Sequence, residues 1–353
     1  MKAKLLLLFT FCPIVIICYL YSFQKSQVNP SFGFERKFYR LADSIVDKIK
    51  LSEKSEPSSF KIYNDNYYVY SIKNKDFRRI SRTGSVEVFS SANSKIDMNL
   101  ILYFKIDSSE IIALDQRSKK LFVYNTENGE QIIQDLPSFD RGFIISDSTL
   151  ILTSIDSKSK DRIFFRYNTL THQSVIIETT LPKVGDMGFS SDGFFEYSTD
   201  SNLLIYVLYG KGRYLLFDKE LKSVESSNTI DQFRFNPFVI QKGSKFFLSR
   251  RSVSINSLAA LNKKYIFIIS MARSLKDKKN GLDGNIIDVY SNTYPHEYKG
   301  SIFLDKEVIG NIKNFQVDNN YMYFMNSEEI IKMCLPKSIN QYNKNYFHDK
   351  YLK

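Results

Sequence analysis

A unit of three short apolar strands joined by two tight turns recurs along most of this chain, and that recurrence restricts the fold more than any other feature. Its clearest copy runs from Glu110 to Leu136: EIIALD, a charged break QRSKK, LFVYN, then TENGE and QIIQDL. Aligning the copies on the last strong apolar residue of the strand that LFVYN represents, the third of a four-stranded blade, gives Ile80, Tyr124, Tyr167, Phe217, Tyr290 and Met333. Successive separations are 44, 43, 50, 73 and 43 residues. A period in the forties is that of a four-stranded propeller blade, so six anchors predict six blades. Tyr and Phe number 23 and 29 against no Trp, a bias that suits pleated, half-buried surfaces. The fold class expected is all-β, a six-bladed β-propeller.

The turns carry matching chemistry. Thr83-Gly84 and Asn128-Gly129 supply positive φ at hairpin turns. Innermost strands are weaker signals, at Phe60–Tyr63, Gly142–Ser146 and Phe315–Val317. The last copy lacks its outer strand, because IIKMCL runs into Pro336 and a polar tail. Ile45–Leu51 (IVDKIKL) is the expected replacement, which would close the ring and remove its open edges; the tail is the alternative. The long interval of 73 holds two inserts, Asp231–Arg250 before blade five and Ala272–Gly284 between two of its strands.

At the N-terminus, Lys2 and Lys4 precede Leu5–Phe23, nineteen residues without a charge. This is a signal peptide or a signal-anchor, and as a helix rising ~1.5 Å per residue it would just span a bilayer. Bulky Ile17 before Cys18 and Phe11 before Cys12 argue against a lipoprotein box, and no A-x-A site appears by Phe23. A retained transmembrane anchor with the body outside the cytoplasm is therefore expected, in the periplasm or at the cell surface. Cleavage or lipidation stays open. Residues 24–44 read as a polar tether, 45–335 as the propeller and 336–353 as a polar C-terminal tail. Cys334 is then the lone cysteine of the body, expected as a small buried hydrophobe.

The chain resembles the exported six-bladed propeller proteins of Bacteroidetes-type bacteria, with NHL-like or TolB-like blades. LFVYNTENGE (121–130), IIDVYSNTYPHEYKGSIF (286–303) and IKLSEKSEPSSFKIYNDNYYVYSI (49–72) carry the resemblance. It covers roughly Ile45–Leu335 and implies a periplasmic or surface-exposed binding protein.

Motifs of catalysis are missing from the sequence: no G-x-S-x-G, H-E-x-x-H, C-x-x-C, P-loop or dinucleotide fingerprint occurs. The run Asp277–Gly284 has the wrong ligand spacing for a calcium loop and two lysines within it. Ser190-Ser191-Asp192-Gly193 matches only part of a sialidase Asp-box. His172 and His296 fall at third-to-fourth-strand turns, where exposed histidines are expected, and His348 lies in the tail. The residues therefore specify no catalytic site, metal or cofactor.

Charge is unevenly placed. The net charge is +11. Loops between second and third strands sum to +6, whereas the turns on the opposite face sum to −1. A binding or scaffold module is the expected function, with Arg117, Lys119, Lys120, Lys211, Arg213, Lys276, Lys278 and Lys279 as candidate ligand-binding residues. The partner would be a protein, a glycan or an envelope polyanion, with membrane attachment through the N-terminal segment, no nucleic acid, and a monomeric chain. The alternative is a hydrolase, lactonase or lyase with carboxylates or a metal at the channel mouth.

Overall fold

In the computed structural model, the described residues are 33–39, 45–51, 56–90, 100–218, 221, 224–234 and 236–336. The apolar segment 5–23, Cys12, Cys18, His348 and the tail 337–353 lie outside them, so the expectations placed there are not addressed by the fold. Among the described residues no helix is long and apolar enough to cross a membrane.

Six sheets form the ring. Blade one comprises Pro57–Tyr63, Asn66–Ser71, Asp76–Ile80 and Val86–Ser90. Blade two comprises Ile101–Asp107, Glu110–Asp115, Lys120–Asn125 and Gln131–Asp135. Blade three holds Arg141–Ser146, Thr149–Ile155, Arg162–Asn168 and Ser174–Ile177. Blade four holds Gly193–Ser198, Leu203–Leu208, Arg213–Phe217 and Val224–Asn228. In blade five the strands are Asn256–Leu261, Tyr265–Ser270, Gly284–Ser291 and Tyr298–Asp305. Blade six has Asn314–Val317, Tyr321–Met325 and Glu329–Cys334 of its own.

Its fourth strand is Ile45–Lys50, antiparallel to Glu329–Cys334 with Lys50 opposite Glu329. The N-terminal closure expected from the missing outer strand is what the fold contains.

Second strands read as continuous apolar runs because both of their faces are covered by neighbouring blades. Ile111, Ile112, Ala113 and Leu114 are all buried, as are Leu204 through Leu208. Each pair of neighbouring blades encloses one apolar cluster. Tyr70, Phe77 and Phe104 meet between blades one and two, and Phe164, Phe195 and Tyr206 between blades three and four. Ile49, Tyr67 and Tyr323 fill the seam between blades six and one. Edge-to-face aromatic contacts recur in these seams, with Phe164 and Tyr206 centroids 4.9 Å apart and Phe77 and Phe104 5.1 Å apart. Such pairs add about 0.5–1.5 kcal/mol each beyond their buried area.

Sequence periodicity missed four details. Phe38–Tyr39, within the stretch read as tether, adds to blade five as a fifth strand, parallel to Tyr298–Asp305. Cys334 is exposed, since it ends its strand on the outward side of the pleat. His296 is buried rather than exposed, with Nδ1 3.2 Å from the Ser291 carbonyl, while His172 is exposed and meets the Tyr167 hydroxyl at 2.9 Å. The insert Ala272–Gly284 is also more ordered than a loop. It contains a short helix, Leu275–Lys279, held by a capping box between Ser274 and Asp277.

The N-terminal segment is fastened through one side chain. Arg36 is fully buried and donates from Nε and Nη2 to both oxygens of Asp288, at 2.8 and 2.9 Å. It also donates from Nη1 to Asp277 and to the Ala272 carbonyl, and from Nη2 to Ser270. Ser301 and Tyr298 extend the network, which leaves the buried carboxylates amply satisfied. Burial opposes the guanidinium charge, but Asp288 and then Asp277 outweigh it and hold Arg36 protonated. Removing one partner of such a buried cluster strands the other charges, at a cost of about 3–5 kcal/mol. Arg36→Ala is therefore expected to lower unfolding free energy by about that amount in urea titration. Arg79→Ala, which breaks an ion pair with Glu87 on an exposed edge, should cost no more than ~1 kcal/mol.

Candidate binding surface on the upper face

In an up-and-down blade, second-to-third-strand loops and blade-to-blade connections share one face, called upper here. The residues Arg117, Lys119, Lys120, Lys211, Arg213, Lys276, Lys278 and Lys279 all belong to that face or its rim, but their surroundings differ. Arg117, Lys278 and Lys279 are exposed. Lys120 lies 3.6 Å from Asp135, and Lys276 pairs with Glu35 of the N-terminal segment. Lys119 turns inward: its Nζ donates to the Phe139 carbonyl and sits 5.1 Å from that ring's centre. Burial pulls its pKa down. Arg213 donates to Thr180 at 3.1 Å and Ser226 at 2.7 Å.

Lys211 is the most enclosed of the eight, 6% exposed, and burial lowers its pKa. Its loop is clamped to the connection leaving blade four. Gly212 donates to the Phe233 carbonyl at 2.8 Å and accepts from Thr229 at 3.0 Å. A Cβ at Gly212 would stand 2.2 Å from an Asp231 carboxylate oxygen, so only glycine fits.

The turns of blades one, two and three share a backbone feature that composition alone does not reveal. Each places a lysine in the left-handed region: Lys75 at φ 54°, Lys119 at 57° and Lys160 at 61°. Side-chain acceptors organise the turns, with Asp115 accepting from the amides of Arg117 and Ser118, and Asp156 from Ser159. For a residue bearing Cβ the left-handed conformation costs roughly 1–2 kcal/mol, which glycine avoids.

Between blades three and four the upper rim carries a network that sequence reading did not identify. Arg162, nearly inaccessible, donates to Asp140, to Thr153 at 2.9 Å and to Asp192 at 3.1 Å. Arg141 donates to the other Asp192 oxygen at 3.0 Å and to the Gly193 carbonyl at 3.2 Å. Asp192 thus serves blade packing rather than an Asp-box, and Asp277 serves Arg36 rather than a calcium loop. Nothing in the repeat pattern marks these arginines, because each falls at the first position of a strand, just ahead of the apolar run by which the strand is recognised.

Innermost strands bring a second group of titratable side chains to the channel wall. Lys61 of blade one lies over the Tyr103 ring, 4.5 Å from its centre. Across the ring in blade four, Glu196 is near enough to raise the Lys61 pKa, although burial wins and lowers it. Burial pushes the Glu196 carboxyl up to about 7, with Lys61 only partly offsetting it. The two side chains form no direct ion pair. Among the described residues no group of three or more His, Cys, Asp or Glu is placed to hold a metal ion.

The sign of the Glu196 shift makes a prediction. The folded protein binds this proton more tightly than the unfolded chain, so stability falls as pH rises from about 4.5 to about 7. Glu196→Gln should remove that part of the fall. Denaturant titrations at pH 5 and pH 8 should show the variant gaining on the parent as pH rises.

No family model matches the sequence, and no curated protein does. Solved structures do resemble it in three dimensions. An exported protein described as putative from Bacteroides fragilis superposes with TM-score 0.54 and 12% identity, over 85% of this chain and 99% of that one. A member of the DUF4221 family from Bacteroides vulgatus gives 0.51 and 14%, over 86% and 97%. Virginiamycin B lyase from Staphylococcus aureus gives 0.48 and 10%, over 82% and 99%, too distant to transfer any residue's role. What this chain shares with the two Bacteroides proteins is the six-bladed β-propeller fold across nearly its whole described length.

Proposed function

We propose that this chain is an extracytoplasmic propeller that binds an anionic partner on its upper face, acting as a binding or scaffold module rather than an enzyme. One observation carries the reading: blades one and three each spend a left-handed turn position on lysine, Lys75 and Lys160, where glycine costs less. In blades one and three the strained site is accounted for by the charge it presents, whereas Lys119 of blade two turns its ammonium inward to the Phe139 carbonyl. Arg117, Lys278 and Lys279 add exposed charge to the same face, and Lys211 and Arg213 border it. The apolar segment Leu5–Phe23 and the exported description of the Bacteroides fragilis neighbour support a location outside the cytoplasm.

The test separates charge from stability. Lys75→Gly with Lys160→Gly relieves the strained backbone, so unfolding free energy should stay within about 1 kcal/mol of the parent. Retention on an immobilised sulfated polyanion should nevertheless fall, with elution at clearly lower salt. Lys263→Ser with Lys264→Ser removes two equal charges from a turn on the opposite face and should leave elution unchanged. Equal loss from both pairs would show that net charge alone is being read, and the upper-face assignment would fail.

A catalytic reading has one observation in its favour, the facing Lys61 and Glu196 in the channel wall. It would require turnover abolished by Glu196→Gln, whereas the binding reading expects polyanion retention to survive that substitution.

A further inference from the structure

The connection from blade four to blade five contains the most unusual surface of the molecule. Val239–Lys242 and Lys245–Leu248 form a two-stranded antiparallel hairpin that joins no blade. Its base is rigid. Phe233 is hydrogen-bonded to Gly212, and Ile255 and Asn256 donate to the Tyr209 carbonyl. Asn256 also donates from its side chain to the carbonyls of Leu208 and Lys211, at 2.8 and 2.9 Å. Between these fastenings, no described residue from 232 to 254 is buried.

The exposed residues are of two kinds. Phe238, Ile240, Phe247 and Leu248 are each 41–52% exposed. Ile240 pairs with Phe247, and Val239 with Leu248, so both faces of the ribbon are apolar. Around them stand Arg234, Lys242, Lys245, Arg250 and Arg251, and residues 232–256 include no Asp or Glu. A lone two-stranded ribbon is marginal in water, and bulky apolar side chains on both its faces call for a covering phase. Apolar side chains flanked by cations alone fit an anionic lipid interface, where the side chains enter the acyl boundary and Lys or Arg meet phosphate.

Chain geometry selects the same occupant. Glu35, at the start of the described chain, pairs with Lys276 of the loop that shares the hairpin's face. Only residues 24–32 separate Gly33 from the apolar segment Leu5–Phe23. Nine residues reach at most roughly 30 Å, at about 3.3–3.6 Å each. A bilayer holding Leu5–Phe23 is therefore within reach of the upper face beside blade five.

We propose that the hairpin Val239–Leu248 docks on an anionic phospholipid surface, inserting Ile240, Phe247 and Leu248 while Lys242, Lys245 and Arg250 engage head-group phosphates. This inference rests on the anionic-partner reading above and names that partner as the bilayer itself.

The absence of Trp supplies the probe. Phe247→Trp places the sole indole on the hairpin, and Leu170→Trp places one on an exposed turn of the opposite face. The full chain of each is reconstituted into vesicles of phosphatidylcholine alone or with one third phosphatidylglycerol. On the anionic vesicles the hairpin indole should shift to the blue and be quenched at least several-fold more by brominated lipid than the Leu170→Trp indole. Adding Ile240→Ser and Leu248→Ser to Phe247→Trp should abolish both signals. A water-like, unquenched hairpin indole on a chain that sediments with anionic vesicles overturns the proposal, while polyanion retention still judges the basic face. Equal insertion into neutral vesicles refutes the anionic specificity. A blue shift without lipid that tracks protein concentration assigns the hairpin to a second copy and also overturns it. Alkaline carbonate wash reports separately on Leu5–Phe23, since release by the wash denies an integral anchor without changing the indole result.

Discussion

The ring depends on a buried charge cluster at its rim. Arg36 joins the N-terminal segment to blade five by satisfying Asp277 and Asp288 at once, and each carboxylate has a further structural duty. Asp277 completes the capping box of the helix Leu275–Lys279, and Asp288 accepts from Ser301 of the adjoining strand. From Arg36 the chain passes through Tyr39, whose ring packs beside Gly300 in the core shared by blades five and six. A few residues later it supplies the closing strand Ile45–Lys50. One guanidinium thus fixes the loop helix, the fifth strand and the approach to ring closure. Apolar burial drives assembly of the blades, as in any β-fold. The ion cluster decides where the chain's beginning enters that assembly.

Most of the fold was legible in the sequence, because a blade's second strand is apolar on both faces and its turns need particular residues. Runs such as EIIALD and YIFIIS, recurring with turn signals between them, allow few other solutions. The closing strand was legible by subtraction, since IIKMCL lacked a partner before Pro336. What stayed hidden was long-range pairing of charge. Arg36 sits 241 residues from Asp277 and 252 from Asp288, and nothing local distinguishes it from other charges of a polar stretch. Arg141 and Arg162 were hidden for the same reason. Cys334 was misread because an apolar run does not tell which alternate position faces outward at its end.

The candidate surface was legible as a tally of loop charge but not as geometry. Lys119 and Lys211 count fully in the tally, yet both are drawn into the protein and their charged forms are disfavoured by burial. Conversely, Lys75 and Lys160 gain weight from φ angles that sequence cannot supply. The insert Asp231–Arg250 was recognisable as extra chain, but that its hairpin Val239–Leu248 joins no blade was visible only in three dimensions.

Ring closure by the N-terminal strand also has a kinetic consequence. Lys48 meets Glu329 across 281 residues of chain, so the final seam cannot form until almost the entire polypeptide is available. During vectorial synthesis or passage through a pore, blades one to five can stack progressively as each is completed, while Ile45–Lys50 waits unpaired. Contacts of such long sequence separation slow folding, although the entropy of closing the loop grows only as the logarithm of its length. Truncation from either end therefore leaves the same seam unsealed, and the newly made chain passes through a stage in which an unpaired strand edge is open to association.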